Sequence, residues 1–138
     1  MYTIKEVAEK MDVSEHTLRF WAKSGLFPFV KRNRNNVRIF SDDDLAWVRM
    51  VKCLRSVGTD NKAVKKYVDL CVKGDSTLKE RFEIIHATKL KAQQQLIDIK
   101  NQLDMLNYKE KFYRNLIENN LQDTWNPMNG FKAGSVDV

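Results

Sequence analysis

Residues 13–40 read VSEHTLRFWAKSGLFPFVKRNRNNVRIF, and the fold turns on how this stretch is organised. Ser14 is a helix-capping residue, because its hydroxyl can accept a free N–H of the first turn. A helical pattern then runs from about 15 to 23. Gly25 and Pro28 stop it, and Phe29-Val30 and Val37–Phe40 have β-forming composition on either side of KRNRNN. The stretch therefore predicts a short helix followed by a two-stranded hairpin, with a turn at Asn35-Asn36. Arg19, Lys23, Lys31, Arg32, Arg34 and Arg38 follow one another with no Asp or Glu among them. Cations free of acids suit phosphate neutralisation. A solvated basic loop has the same composition, so position has to decide, and this run follows a second short helix.

That upstream helix is predicted over 4–11. Thr3 and Glu6 have the spacing of a capping box, and Ile4, Val7, Ala8 and Met11 recur on one face. Asp12-Val13 makes a tight connection. In the next helix Leu18, with part of Trp21, points inward against Val7 and Val13. His16, Thr17, Arg19, Phe20 and Lys23 are left to reach outward. Two short helices joined by a turn of a few residues predict a helix-turn-helix, whose second helix enters the major groove; a plain helical hairpin has the same spacing. The candidate DNA-binding residues are Ser14, His16, Thr17, Arg19, Phe20, Trp21 and Lys23 on the helix, with Arg32, Arg34 and Arg38 on the hairpin. The hairpin arginines are expected on phosphates, a contact that needs only charge and reach.

Downstream, Ser41 followed by Asp42-Asp43-Asp44 is a strong helix start, with acids at the positive end of the dipole. Leu45, Val48, Val51, Cys53, Leu54 and Val57 fill that helix until Gly58. Another helix follows Thr59 or Asp60 and ends at Gly74, carrying Ala63, Val64, Tyr67, Val68 and Cys71, the last read as core. From Ser76-Thr77 one long helix begins. Phe82, Ile85, Ala92, Leu96, Ile99, Leu103, Leu106, Tyr113 and Ile117 alternate in steps of three and four along it, interrupted only by Lys89 and Glu110. This is a coiled-coil seam and the predicted dimerisation surface. A helix of about 40 residues extends about 60 Å, and a stripe so narrow needs a partner, most simply the same helix of a second subunit. From Gln122 on, the pattern gives way to a turn-rich tail, expected to be flexible, whose Trp125, Met128 and Phe131 are available to a subunit interface. The expected organisation is 1–74 a winged helix-turn-helix domain, 75–121 a coiled-coil dimerisation helix and 122–138 a tail. The fold class is all-α with a small β-hairpin wing.

Composition bounds the function. The chain has 138 residues and a net charge of +6. Residues 1–58 hold eleven basic and seven acidic side chains, net +4, and 59–138 hold thirteen and eleven, net +2. An anionic partner thus favours the N-terminal part. No apolar run approaches the ~20 residues needed to span a bilayer, and MYTIKEVAEK lacks the apolar core of a signal peptide. The expectation is a cytoplasmic protein without a membrane partner. Two cysteines are too few for a disulfide framework. No nucleophile is paired with a base at a readable spacing and no Gly-rich phosphate loop is present, so no enzyme and no cofactor is expected.

The N-terminal residues resemble the DNA-binding domain of MerR-type transcription regulators. The likeness is carried by Ile4–Val7, Val13-Ser14, Thr17-Leu18-Arg19, Gly25-Leu26, Pro28, Arg38-Ile39-Phe40 and Ser41–Leu45. It is specific over about residues 3–57, and the overall plan extends to about 118. The resemblance implies a winged helix-turn-helix followed by a long helix that pairs as an antiparallel coiled coil. It also implies a homodimer on a two-fold promoter operator, which bends and untwists DNA for RNA polymerase when an effector is bound. It carries phosphate contacts over at Arg19 and Arg38. The family's Arg-Tyr-Tyr-Glu stands here as Arg19-Phe20-Trp21-Ala22, so neither following position offers a phenolic hydroxyl.

Metal-sensing members place cysteines at the start of the long helix and after it. Neither 76–84 nor 120–138 holds Cys or His, so no metal is expected. The run Cys53-Leu54-Arg55 before Gly58, with Tyr67, Gly74-Asp75, Arg81 and Lys109–Tyr113, resembles a branch that answers reactive aldehydes and thiol oxidants through one cysteine. Cys53, flanked by Lys52 and Arg55, is therefore a candidate thiol sensor for an electrophile or small-molecule effector; a small buried hydrophobe is the other role open to it. Two functional alternatives stay open: an effector-independent repressor or architectural DNA-binding protein, and a coiled-coil interaction protein with a basic head.

Overall fold

The structure, a computed structural model, describes residues 1–129. Its elements are α1 (Ile4–Met11), α2 (Glu15–Lys23), the hairpin strands β1 (Lys31–Arg32) and β2 (Arg38–Ile39), α3 (Asp42–Val57), α4 (Asn61–Lys73) and α5 (Leu78–Glu118). The chain divides into two compact units, Met1–Gln93 and the part from Gln94 onward.

Local chemistry accounts for the helix ends. Thr3 and Glu6 close a reciprocal capping box on α1, and Ser41 and Asp44 close another on α3. Asp60, rather than Thr59, caps α4 by accepting from the Ala63 N–H at 2.8 Å. Asp12 takes the left-handed conformation, φ 53°, in the short link between α1 and α2. Gly58 ends α3 at φ 106°, a region costly to a side chain.

The hairpin is shorter than the composition suggests. Phe29 lies with Pro28 in a turn, closed by the Val30 N–H donating to the Phe27 carbonyl at 3.2 Å, and pairing begins at Lys31, opposite Ile39. Phe29 instead sets its ring edge-on against Trp47, centroids 5.3 Å apart. At the hairpin tip Asn33 Oδ1 accepts from the N–H groups of Asn35 and Val37, and Asn36 takes φ 61°. Tyr2 and Phe40 exchange two backbone hydrogen bonds of 2.8 Å, tying the N-terminus beside the hairpin.

The first unit is built around Val7, Leu18, Leu26, Phe40, Val48, Val51, Leu54, Val64 and Val68, all fully buried. Trp21, Phe27 and Phe40 form a chain of edge-to-face rings within this core, which adds geometric specificity to the burial. Lys52 Nζ donates to the Met11 carbonyl at 2.6 Å, fastening α3 to the last turn of α1.

A short 3-10 turn, Asp75–Thr77, precedes α5, so the long helix starts at Leu78 rather than at Ser76. Thr77 is buried, its hydroxyl 2.7 Å from the Leu70 carbonyl, and it accepts from Arg81 Nε at 3.0 Å. Arg81 also donates to the Gly74 carbonyl at 3.1 Å. Cys71 lies beside this junction half-buried, not in the core.

α5 runs 41 residues without a buried side chain. In the first unit Ile85 is half-buried against the core of its own chain, and Ala92 is half-buried too. Further along, Leu96, Ile99, Leu103, Leu106, Tyr113 and Ile117 are exposed, Leu106 at 65% and Ile117 at 80%. After α5 the Asp123 carboxylate accepts from the backbone N–H groups of Trp125 and Asn126. That turn lays the Trp125 ring 3.3 Å from Lys109 Nζ, so Trp125 packs on its own helix. Met128 is exposed, and Phe131 lies outside the described residues.

Candidate nucleic-acid interface

Ser14 starts α2 by accepting from the Thr17 N–H at 3.0 Å while its own hydroxyl donates to Thr17 Oγ1 at 2.9 Å. Its side chain is thus engaged in capping. The amphipathic pattern beyond it sends Leu18 and Trp21 inward and His16, Arg19, Phe20 and Lys23 outward, with Thr17 half-buried. Trp21, counted from sequence among the DNA-facing residues, is a core residue: it is only 6% exposed and its ring packs on Phe27. The second aromatic of the Phe20-Trp21 pair falls on the inner face because helical positions 18 and 21 share a side.

Arg19 lines a shallow groove of about 170 Å³ with Ile4, Arg32, Asn36, Val37 and Arg38, where α2 meets the hairpin. Arg32 is steadied by donating to the Asn36 carbonyl at 2.8 Å. Burial, then the neighbouring Arg32 and Arg19 guanidinium groups, lower the pKa of Arg38 from its ordinary value. An arginine stays charged all the same. Beyond burial, the smaller contributions of Arg32 and Arg19 reflect three like charges gathered in one place. Arg19 makes an exposed ion pair with Glu15 at 3.3 Å, a contact of little strength that an incoming phosphate can replace. Arg34 is exposed at the hairpin tip, away from the groove lining. Asn36 and Val37 belong to the groove; the sequence puts Asn36 in the hairpin turn but marks neither as a contact residue. Their signal was the hairpin itself, since a residue with positive φ marks where the tip folds over.

Cys53 is exposed, not the buried hydrophobe that its place among apolar α3 positions allowed. It lines an open apolar groove of about 170 Å³ with Met50, Val57, Ile85, Lys89 and Ala92. The cations beside it in sequence are employed elsewhere: Lys52 on the Met11 carbonyl, and Arg55 on the Thr59 carbonyl at 2.8 Å. Among the described residues no group of three or more His, Cys, Asp or Glu is placed to hold a metal ion. No helix among them is long and apolar enough to cross a membrane.

The profile of the MerR HTH family of regulatory proteins matches residues 2–71, the span that holds α1, α2, the hairpin, α3 and most of α4. The chain belongs to the MerR family. An HTH-type transcriptional regulator of Haemophilus influenzae is 36% identical to this MerR-family chain over 113 residues, 82% of this chain and 84% of the relative. The regulator AdhR of Bacillus subtilis is 33% identical over 82 residues, 59% of each chain. Among solved structures, HiNmlR, a MerR family regulator lacking the sensor domain and crystallised bound to promoter DNA, superposes with a TM-score of 0.80 at 34% identity. That match covers 87% of this chain and 95% of HiNmlR.

Proposed function

We propose that this MerR-family regulator binds double-stranded promoter DNA as a homodimer on a two-fold operator, and activates transcription by bending and untwisting the DNA for RNA polymerase when an effector is bound. The observation that carries the reading is the Arg19, Arg32 and Arg38 groove between α2 and the hairpin. A helix presents His16, Arg19, Phe20 and Lys23 beside a wing that presents Arg32, Arg34 and Arg38, which is how base reading and phosphate gripping are combined in winged helix-turn-helix proteins. The similarity to HiNmlR, itself crystallised on promoter DNA, supports the same reading.

The exposed seam of α5 supports the dimer, since a row of bare Leu and Ile over six helical turns is stable in water only when covered. A two-fold dimer presents two basic heads to one duplex. Bending a site of this length costs about 1–6 kcal/mol for a smooth curve, offset by the extra phosphate contacts that the bend permits. Cys53 supports an electrophile as effector: its thiol is exposed on an apolar groove that accepts a small, uncharged molecule next to the sulfur.

Footprinting of genomic DNA with the purified chain tests the reading. The expected result is a small set of two-fold sites inside promoters, and bent DNA when one such site is circularly permuted in a gel. Uniform protection with no preferred site would leave only an anion-binding coiled coil, and a straight site would leave an effector-independent repressor.

A further inference from the structure

Phe20 is the apolar side chain that α2 leaves exposed, at 52%, while Leu18 and Trp21 of the same helix are buried. It lies between His16 and Lys23 at helical spacings of four and three, so the three share one outward face. Its backbone carbonyl accepts from the Ser24 hydroxyl at 2.8 Å and from the Ser24 N–H at 2.9 Å. The ring itself serves no core function there.

A second copy of the chain does not suit this face, because Arg19 and Lys23 would meet the same cations. The occupant must be anionic around an apolar spot. A phenyl ring carries no donor or acceptor for a phosphate oxygen. In the major groove the apolar feature of a base edge is the 5-methyl group of thymine.

Resting on the DNA-binding reading above, we infer that Phe20 is a specificity-determining residue that selects thymine at one position of each operator half-site through the 5-methyl group. The neighbouring cations hold the helix against the duplex, and the ring supplies the sequence preference. A tyrosine at this place could bind a phosphate through its hydroxyl. Phenylalanine instead exchanges that contact for one that depends on the base.

The test uses the full chain and an operator found by footprinting. Each thymine is replaced in turn by deoxyuridine, which removes only the methyl group. For the unaltered protein, one position per half-site is expected to weaken binding about fourfold, the factor that burying one methyl-sized group gives. Phe20→Ala should be insensitive to uridine at that position, and Phe20→Leu, still apolar, should remain sensitive. The exposure of Phe20 means that neither substitution removes a core contact. If uridine affects the unaltered protein and Phe20→Ala equally at every position, the inference is overturned. The same holds if Phe20→Ala weakens binding to all duplexes alike, the result of a ring resting on deoxyribose. Absence of any footprint from the unaltered protein would instead reject the operator reading on which the inference stands.

Discussion

Trp47 Nε1 donates to the backbone carbonyl of Leu26 at 2.8 Å, joining the middle of α3 to the chain just beyond the end of α2. The indole is stacked on Tyr67 of α4 and meets the edge of Phe29. One side chain thus sets where the chain leaves α2 and where the hairpin begins. Trp47→Phe keeps an aromatic ring and removes the donor, leaving the carbonyl of the buried Leu26 without it. A loss of about 1–3 kcal/mol is expected in urea denaturation. An unchanged midpoint would show that solvent replaces the indole N–H.

The groove arginines should reveal themselves through salt. If Arg38 neutralises one phosphate, Arg38→Gln should lower the slope of log affinity against log salt by about one, with sequence preference retained. The same is expected of Arg32→Gln. Gel shifts across a salt series measure it, and a slope equal to that of the unaltered protein would take the residue off the phosphate path. Trp21→Ala should behave differently: it empties a core site and should cost about 3–5 kcal/mol of stability.

Charge on the exposed seam should separate the subunits. Leu103→Lys or Leu106→Glu places a charge where the partner helix would sit, while neither position contributes to the core around Val48 and Val64. Sedimentation should give a folded single subunit that binds operator DNA far more weakly than the dimer. A mass unchanged from that of the unaltered protein would place the interface elsewhere.

The two thiols should differ in accessibility. Cys53 is exposed and Cys71 half-buried beside Arg81, so iodoacetamide should label Cys53 first, as peptide mass mapping can read. If Cys53 receives the signal, Cys53→Ser should abolish the response of promoter transcription to an aldehyde. An equal response from both proteins removes Cys53 from the mechanism.

Acid should loosen the first turn of α1. Glu6 accepts from the Thr3 backbone N–H at 3.1 Å, and that bond, followed by the one to the Thr3 hydroxyl, lowers its pKa from 4.5. A lowered carboxylate pKa contributes stability that is fully present above the unfolded value. The contribution is lost as pH falls through the lower folded value. Urea midpoints should therefore drop below about pH 4.5, and Glu6→Gln should flatten that part of the profile. Identical acid limbs for the two proteins would show that the capping box does not couple to pH.

Much of this molecule was decided over distances of three or four residues, and those parts were readable directly. The boxes at Thr3–Glu6 and Ser41–Asp44, the cap at Ser14 and the stop at Gly58 are each made by neighbours in the chain, whereas the choice of Asp60 over Thr59 as the cap of α4 was open from sequence. They set helix order and most helix ends before any tertiary contact forms. The unbroken seam of α5 belongs with them, as periodicity within one helix. What lay beyond sequence was the direction taken by residues with two plausible uses. Trp21 became core because Phe27, itself backed by Phe40, packs on it; Phe29 left the hairpin for Trp47. Lys52 turned from its neighbour Cys53 to a carbonyl 41 residues away. Arg19, Arg32 and Arg38 gathered only when the hairpin folded beside α2. Caps and periods depend on local backbone geometry, whereas burial and charge clustering depend on which distant segments arrive at the same place.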